Sequence, residues 1–150
     1  MPARVLYVCL GNICRSPMAE GVLAARAAEA GIEIVVDSAG TSDWHVGDMP
    51  DPRAIEAAAV RGIDISEQRA RQVQSTDFRA FDLILAMDER NLAKLQRLAP
   101  KGARARLRLA HPDGREVPDP YYGGPDGFVA VLDMLEEVAA DVLRNLKTRE

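Results

Sequence analysis

Arg4-Val5-Leu6-Tyr7-Val8-Cys9-Leu10-Gly11-Asn12-Ile13-Cys14-Arg15-Ser16-Pro17 runs from a short apolar strand, through a small loop, straight into a helix start. Apolar and β-branched residues dominate Val5 to Cys9, the pattern of a strand buried on both faces. Ser16 reads as an N-cap and Pro17 as the first helical residue. A thiol, Cys9, and a guanidinium, Arg15, stand six positions apart between these two elements. If the loop curls so that its amides point inward, it forms an anion nest, to which the helix adds its positive dipole end. Gly11 and Asn12 are residue types that readily adopt the positive φ such a curl demands. Arg15 presents a planar fork to two oxygens of a tetrahedral dianion. The same surroundings favour the thiolate of Cys9, to which Ser16 is placed to donate.

Strands and helices alternate along the rest of the chain. Ala19 to Ala30 is dense in Ala, Leu and Glu, with Gly31 at the stop. Ile32 to Val36 reads as a second strand, ended by Asp37-Ser38-Ala39-Gly40-Thr41. A loop from Ser42 to Pro50 holds the lone Trp44, and Asp51-Pro52 opens a helix that runs to about Arg61. Phe81 to Met87 is a third apolar strand, Asp88 caps a helix from Glu89 to Leu98, and Ala103 to Leu109 is a fourth strand. A long loop from Ala110 to Pro125 precedes a last helix. Its Phe128, Val131, Leu132, Leu135, Val138, Val142 and Leu146 fall on one face. Apolar strands alternating with helices predict an α/β fold: a four-stranded parallel sheet flanked by helices in one three-layer domain spanning residues 1–150. Ligands of such sheets gather at the carboxyl ends of the strands, where the Cys9 loop leaves the first one.

At 150 residues and 47% hydrophobic, the chain has apolar mass for one core, and its net charge of −4 speaks against a nucleic-acid partner. No apolar run nears the roughly 20 residues of a membrane span, and Met1-Pro2-Ala3-Arg4 leads only into a short strand, so cytoplasmic residence is expected. Cys9 and Cys14 are too close together for a useful structural disulfide, and as half a zinc site they lack a second pair. No metal is expected. Neither a nucleotide P-loop nor a G-x-G-x-x-G turn is present, and a C-x-x-C redox pair is absent too. A buried inert thiol remains the plain alternative for Cys9. A thiolate displacing an alkoxide or phenoxide from phosphorus needs a general acid. Asp119, in Val117-Pro118-Asp119-Pro120-Tyr121-Tyr122-Gly123-Gly124, is the candidate, although Asp-Pro also starts ordinary turns.

Several stretches taken together resemble the low-molecular-weight protein tyrosine phosphatases. They are Val8 to Pro17 with Ala19-Glu20, Ser38-Ala39-Gly40-Thr41, Asp43-Trp44, Asp51-Pro52-Arg53 and Asp119-Pro120-Tyr121-Tyr122-Gly123. The match runs in order along nearly the whole chain and implies a flavodoxin-like fold. It implies that Cys9 is a nucleophile forming a cysteinyl-phosphate. Leu10, Gly11, Asn12, Ile13, Cys14 and Arg15 would form the phosphate loop, and Asp119 would act first as acid and then as base. Asn12, Ser16 and Ser38 match residues that hold the loop from behind. Leu10, Ile13, Trp44, Tyr121 and Tyr122 match the walls of a deep crevice suited to phosphotyrosine. The implied partner is therefore a phosphotyrosine protein or a small aryl phosphate, with no cofactor. Relatives that prefer phosphoarginine carry a smaller polar residue at the position of Ile13. Cys14 is read as a reversible disulfide partner that shelters Cys9 from over-oxidation.

One departure is Gln68, where many relatives place a histidine in the network behind Asn12; Arg71 and Gln72 keep the pattern. Two rivals share the loop. An arsenate reductase of this fold needs further cysteines, and none follows Cys14. A non-catalytic phosphotyrosine or anion-binding module needs Arg15 but neither Cys9 nor Asp119.

Overall fold

The computed structural model describes residues 2–148. Four strands, β1 (Ala3–Cys9), β2 (Ile34–Gly40), β3 (Leu83–Ala86) and β4 (Arg106–Leu109), form one sheet in the order β2-β1-β3-β4, every neighbouring pair parallel. Five helices connect and cover them: α1 (Arg15–Ala30), α2 (Pro52–Val60), the short α3 (Asp77–Ala80), α4 (Glu89–Leu98) and α5 (Pro125–Thr148). The side chains of β1 alternate between two apolar layers, as the two-residue period of a strand requires. Val5, Tyr7 and Cys9 pack with Met18 and Val22 of α1 and with Leu132 and Leu135 of α5. Leu6 and Val8 face the other way, onto Phe78, Phe81, Ile84 and Leu95. Each large side chain so enclosed contributes about 1.5–3 kcal/mol of apolar burial.

The sequence-based outline of the fold holds, with local differences that have physical causes. Asp51 and Asp88 cap their helices as expected, accepting from the amides of Arg53 (2.9 Å) and Asn91 (2.8 Å). Gly31 ends α1 in the left-handed region, at φ 70°. The amide of Ile32 turns back to the Ala27 carbonyl at 2.9 Å, so Ile32 belongs to the helix stop and not to the strand. The second strand therefore starts later and runs on through Asp37-Ser38-Ala39-Gly40, the segment expected to end it. Its polar side chains find partners elsewhere, so they do not oppose pairing with Leu6 to Cys9. Ser16 is not an N-cap. The helix begins at Arg15, two residues before the expected Pro17, and no side chain caps it. The third and fourth strands are shorter than expected. Phe81 follows α3, which sequence pattern did not anticipate, and the amides of Arg104 and Ala105 are both taken by the Phe78 carbonyl.

Candidate active site

The loop after β1 sits where the sheet's carboxyl edge meets the start of α1, and its backbone is pinned on both sides. Thr41 donates to the Cys9 carbonyl at 2.9 Å, Ser42 to the Leu10 carbonyl at 3.0 Å, and Asp51 to the Ile13 carbonyl at 2.8 Å. Gly40 makes this approach possible. A Cβ there would lie 2.9 Å from the Leu10 oxygen and 3.2 Å from the Gly11 carbonyl carbon. Asn12 carries the turn at φ 58°. Gly11 was expected to share that role but does not have positive φ; it is small because His45 packs on it, its Cδ2 only 3.0 Å from where a Cβ would stand.

The Asn12 side chain ties the loop to three other segments. Its carbonyl oxygen accepts the Arg71 amide at 3.0 Å, which fixes the orientation of the amide group. The Nδ2 hydrogens then go to Ser16 Oγ (2.8 Å) and Ser38 Oγ (3.0 Å). Each hydroxyl accepts from Asn12 and has its own hydrogen left to donate. Ser38 donates to Glu20 Oε1 at 2.8 Å, and Ser16 faces Cys9 Sγ at 3.0 Å. The Asn12 amide also points at that sulfur, at 3.3 Å. With the Ser16 hydrogen turned to the sulfur and not to the Ala39 carbonyl 3.5 Å away, both donors hold Sγ as an acceptor, the arrangement a thiolate needs. Glu20 is half-buried; burial chiefly, and the nearby Asp37, push its carboxyl from the ordinary 4.5 up to about 7, against the opposing pull of the Ser38 bond and Arg71.

Arg15 is buried beneath the loop. One Nη1 donates both to Asp88 Oδ2 (2.7 Å) and to the Val117 carbonyl (2.9 Å). Its Nη2 lies 3.7 Å from Asp119 Oδ2. Burial works against its charge, but Cys9, Asp88 and Asp119 outweigh it and hold the group cationic. Asp119 sits across from Cys9, its Oδ1 accepting the Tyr121 amide at 3.1 Å. Arg53 supports this second loop from below, donating to the Gly123 carbonyl and lying over the rings of Tyr121 and Phe128.

A pocket of about 170 Å³ opens over Cys9 and Arg15. Leu10, Ile13, Trp44, Tyr121 and Tyr122 line it, as does Asp119, so the separate sequence candidates converge on one cavity. Trp44 and Tyr122 stand at the mouth, 69% and 92% exposed, and not along a closed wall. The rings of Tyr121 and Tyr122 meet edge to face, 5.0 Å apart. Cys14 is buried, and burial, with Asp51 and Cys9 adding to it, raises its thiol above the ordinary range. Both cysteines are free.

A sequence profile of the family described as low molecular weight phosphotyrosine protein phosphatase matches residues 4–150. The chain belongs to that family. A phosphatase of the same description from Schizosaccharomyces pombe is 44% identical over 151 aligned residues, which cover 95% of this chain and 96% of the relative. Among solved structures, the protein tyrosine phosphatase of Entamoeba histolytica superposes with a TM-score of 0.92 at 36% identity, covering 97% of each chain. A Drosophila protein titled an arginine phosphatase superposes at 0.90 and 33% identity, covering 95% of this chain and 97% of its own. The chain is therefore a phosphatase by family.

Some members of the site were not among the sequence candidates. Asp88 was seen only as a helix cap, yet its second oxygen holds Arg15. Arg71 bridges Asp37 and Asp77 while its amide serves Asn12, and Glu20 closes the chain behind Ser38. These partners lie up to 73 residues apart, so no local spacing signals them. Gln68 donates to the Pro17 carbonyl at 3.1 Å, and the Asn12 oxygen is taken by the Arg71 amide instead. Among the described residues, no helix is long and apolar enough to cross a membrane.

Proposed function

We propose that the chain, as one catalytic domain, hydrolyses phosphotyrosine and related aryl phosphate monoesters through a phosphorylated Cys9. The observation that carries this reading is the placement of Cys9 Sγ between two hydrogen-bond donors, in a pocket that also holds Arg15 and Asp119. In the first step the Cys9 thiolate attacks phosphorus, the S–P bond forms and the P–O(aryl) bond breaks. Asp119 delivers its proton to the departing phenoxide oxygen. Arg15 and the amides of Leu10 to Arg15 bind the three equatorial oxygens, whose charge they meet without reorganising. In the second step Asp119, now a carboxylate, takes a proton from water. The water oxygen attacks phosphorus, the S–P bond breaks, and the thiolate returns to its bond with Ser16. Dividing one displacement into two in this way is ordinary nucleophilic catalysis.

The narrow, partly aromatic pocket supports an aryl ester, whose ring fills the distance between the mouth and Cys9. A phosphoarginine substrate is the second reading, suggested by the Drosophila neighbour. Ile13, apolar and packed against the core, favours the ring over a guanidinium. Cys14 completes the proposal as a thiol that closes on an oxidised Cys9. The free thiols fit a reducing, cytoplasmic setting.

The test is turnover of p-nitrophenyl phosphate, phosphotyrosine peptide and phosphoarginine by the wild type, Cys9→Ser and Asp119→Ala. Loss of all turnover in Cys9→Ser, with a reduction of about 10²–10⁴-fold in Asp119→Ala, is expected. Full activity in Cys9→Ser sinks the mechanism, and faster turnover of phosphoarginine moves the substrate to the second reading.

A further inference from the structure

We propose that a groove beside the pocket receives a basic side chain of the protein substrate, giving the enzyme a preference for phosphotyrosines flanked by arginine or lysine. The inference rests on the aryl-phosphatase reading and extends it to residues around the phosphorylated one. The groove measures about 610 Å³ and lies between the loop that ends at Pro50 and the first turns of α2. It runs on from the phosphate pocket, because Ile13, His45 and Tyr121 line both. The pocket itself, at about 170 Å³, has room for a phosphoaryl group and little else. A peptide whose ring enters it must lay neighbouring residues over the rim, and this groove is the larger space available there.

The lining of the groove selects among occupants. Met49, Pro50 and Ile55 give it an apolar floor. Asp48 and Glu56 stand on its edges, both exposed. Asp51 has its charge met by Arg53 at 2.9 Å, and Asp48 makes one long contact, 3.3 Å, with His45 Nδ1. Glu56 faces solvent on α2. An apolar floor with carboxylates at the rim suits an aliphatic stem that ends in a cation, which is how lysine and arginine cover apolar surface while keeping the charge in water. A leucine would use the floor and leave the carboxylates unmatched; a glutamate would be repelled by them. The net charge of −4 adds to the same bias at longer range.

The experiment compares kcat/KM for phosphotyrosine peptides of one length carrying Arg, Leu, Ala or Glu in turn at each flanking position, at low and high salt. It uses the wild type, Glu56→Gln, Glu56→Lys and the Asp48→Lys/Glu56→Lys pair. At one or more positions the Arg peptide should exceed the Glu peptide by about 2- to 5-fold at low salt, the size expected of exposed ion pairs. The ratio should shrink at high salt and in Glu56→Gln, and reverse in the double variant, with p-nitrophenyl phosphate turnover unchanged throughout. Equal rates for Arg and Glu peptides, or an Arg preference that survives charge reversal, would overturn the proposal. A preference for Leu indifferent to Glu56 would overturn it too, giving the groove to an apolar residue. If turnover of p-nitrophenyl phosphate is absent in the wild type, the phosphatase reading fails first and takes this proposal with it; peptide indifference with that turnover intact defeats this proposal alone.

Discussion

Replacing Gly40 by alanine tests whether the loop from Leu10 to Arg15 is held where it is by backbone contact. The added Cβ would stand 2.9 Å from the Leu10 carbonyl oxygen, and reaching the 3.4 Å of ordinary contact requires a separation of about 0.5 Å. Neither side yields easily. Gly40 donates to the Arg71 carbonyl and accepts from Val73, each at 2.8 Å, while the Leu10 oxygen is held by Ser42 through both amide and hydroxyl. Overpacking of this kind costs about 1–3 kcal/mol, or about 2–12 °C in melting temperature for a chain of this size. If a 1 Å misplacement of reacting groups costs roughly 100-fold, half of that costs about tenfold in kcat. The assay pairs p-nitrophenyl phosphate kinetics with thermal melting, and Gly31→Ala is the control. Gly31 also has a constrained backbone, at φ 70°, but no atom lies within 4 Å of its Cβ position and it is at the far end of α1. It should lose about 1 kcal/mol of stability and no kcat. Full kcat/KM in Gly40→Ala, or an equal loss in Gly31→Ala, would refute the argument.

Three further outcomes follow from the site. Glu20 holds its proton in the fold up to about pH 7, against 4.5 as the ordinary value, so its contribution is fully present below pH 4.5 and is lost as pH rises through 7. Urea melts of Glu20→Gln should therefore gain on the wild type by roughly 3 kcal/mol between pH 4.5 and 8, and a difference that stays constant with pH would contradict this. Asp88→Asn should lower kcat about 10- to 100-fold by freeing the Arg15 guanidinium, and weaken inhibition by inorganic phosphate in step. Unchanged phosphate inhibition would show that Arg15 needs no such brace. Under peroxide, wild-type activity should return with added thiol while Cys14→Ala does not recover; equal recovery would remove the protective role of Cys14.

What could be read from the sequence was mostly local chemistry. Asp51-Pro52, Asp88 and Gly31 announce helix ends because a cap, a fixed φ or a left-handed residue acts within a few positions. Cys9, Arg15 and the Gly/Asn turn between them are equally compact. Apart from Ile32, which the local turn at Gly31 claims, the readings that failed depend on distant partners. Asp37 and Ser38 look like strand breakers until Arg71, Asn12 and Glu20 are brought to them. Ser16 resembles a cap because a hydroxyl ahead of a proline usually is one, but Asn12 and Cys9 claim it first. The second oxygen of Asp88 has no signature at all, since its partner Arg15 is 73 residues away.

The alternation of β1 has a consequence for how such a chain can change. Cys9 lies on the same face as Val5 and Tyr7, packed toward α1 and α5, while Leu6 and Val8 face the opposite layer. Deleting or inserting one residue anywhere between Ala3 and Cys9 would exchange those faces and turn the thiol away from Ser16, unless the whole core inverted with it. A change of length is better absorbed by the exposed turn at residues 112–116, ahead of the segment that carries Asp119, than here. The Cys9 thiol thus inherits its orientation from Val5 and Tyr7, two residues outside the pocket, and lineages should vary this strand by substitution and never by a single-residue change in length.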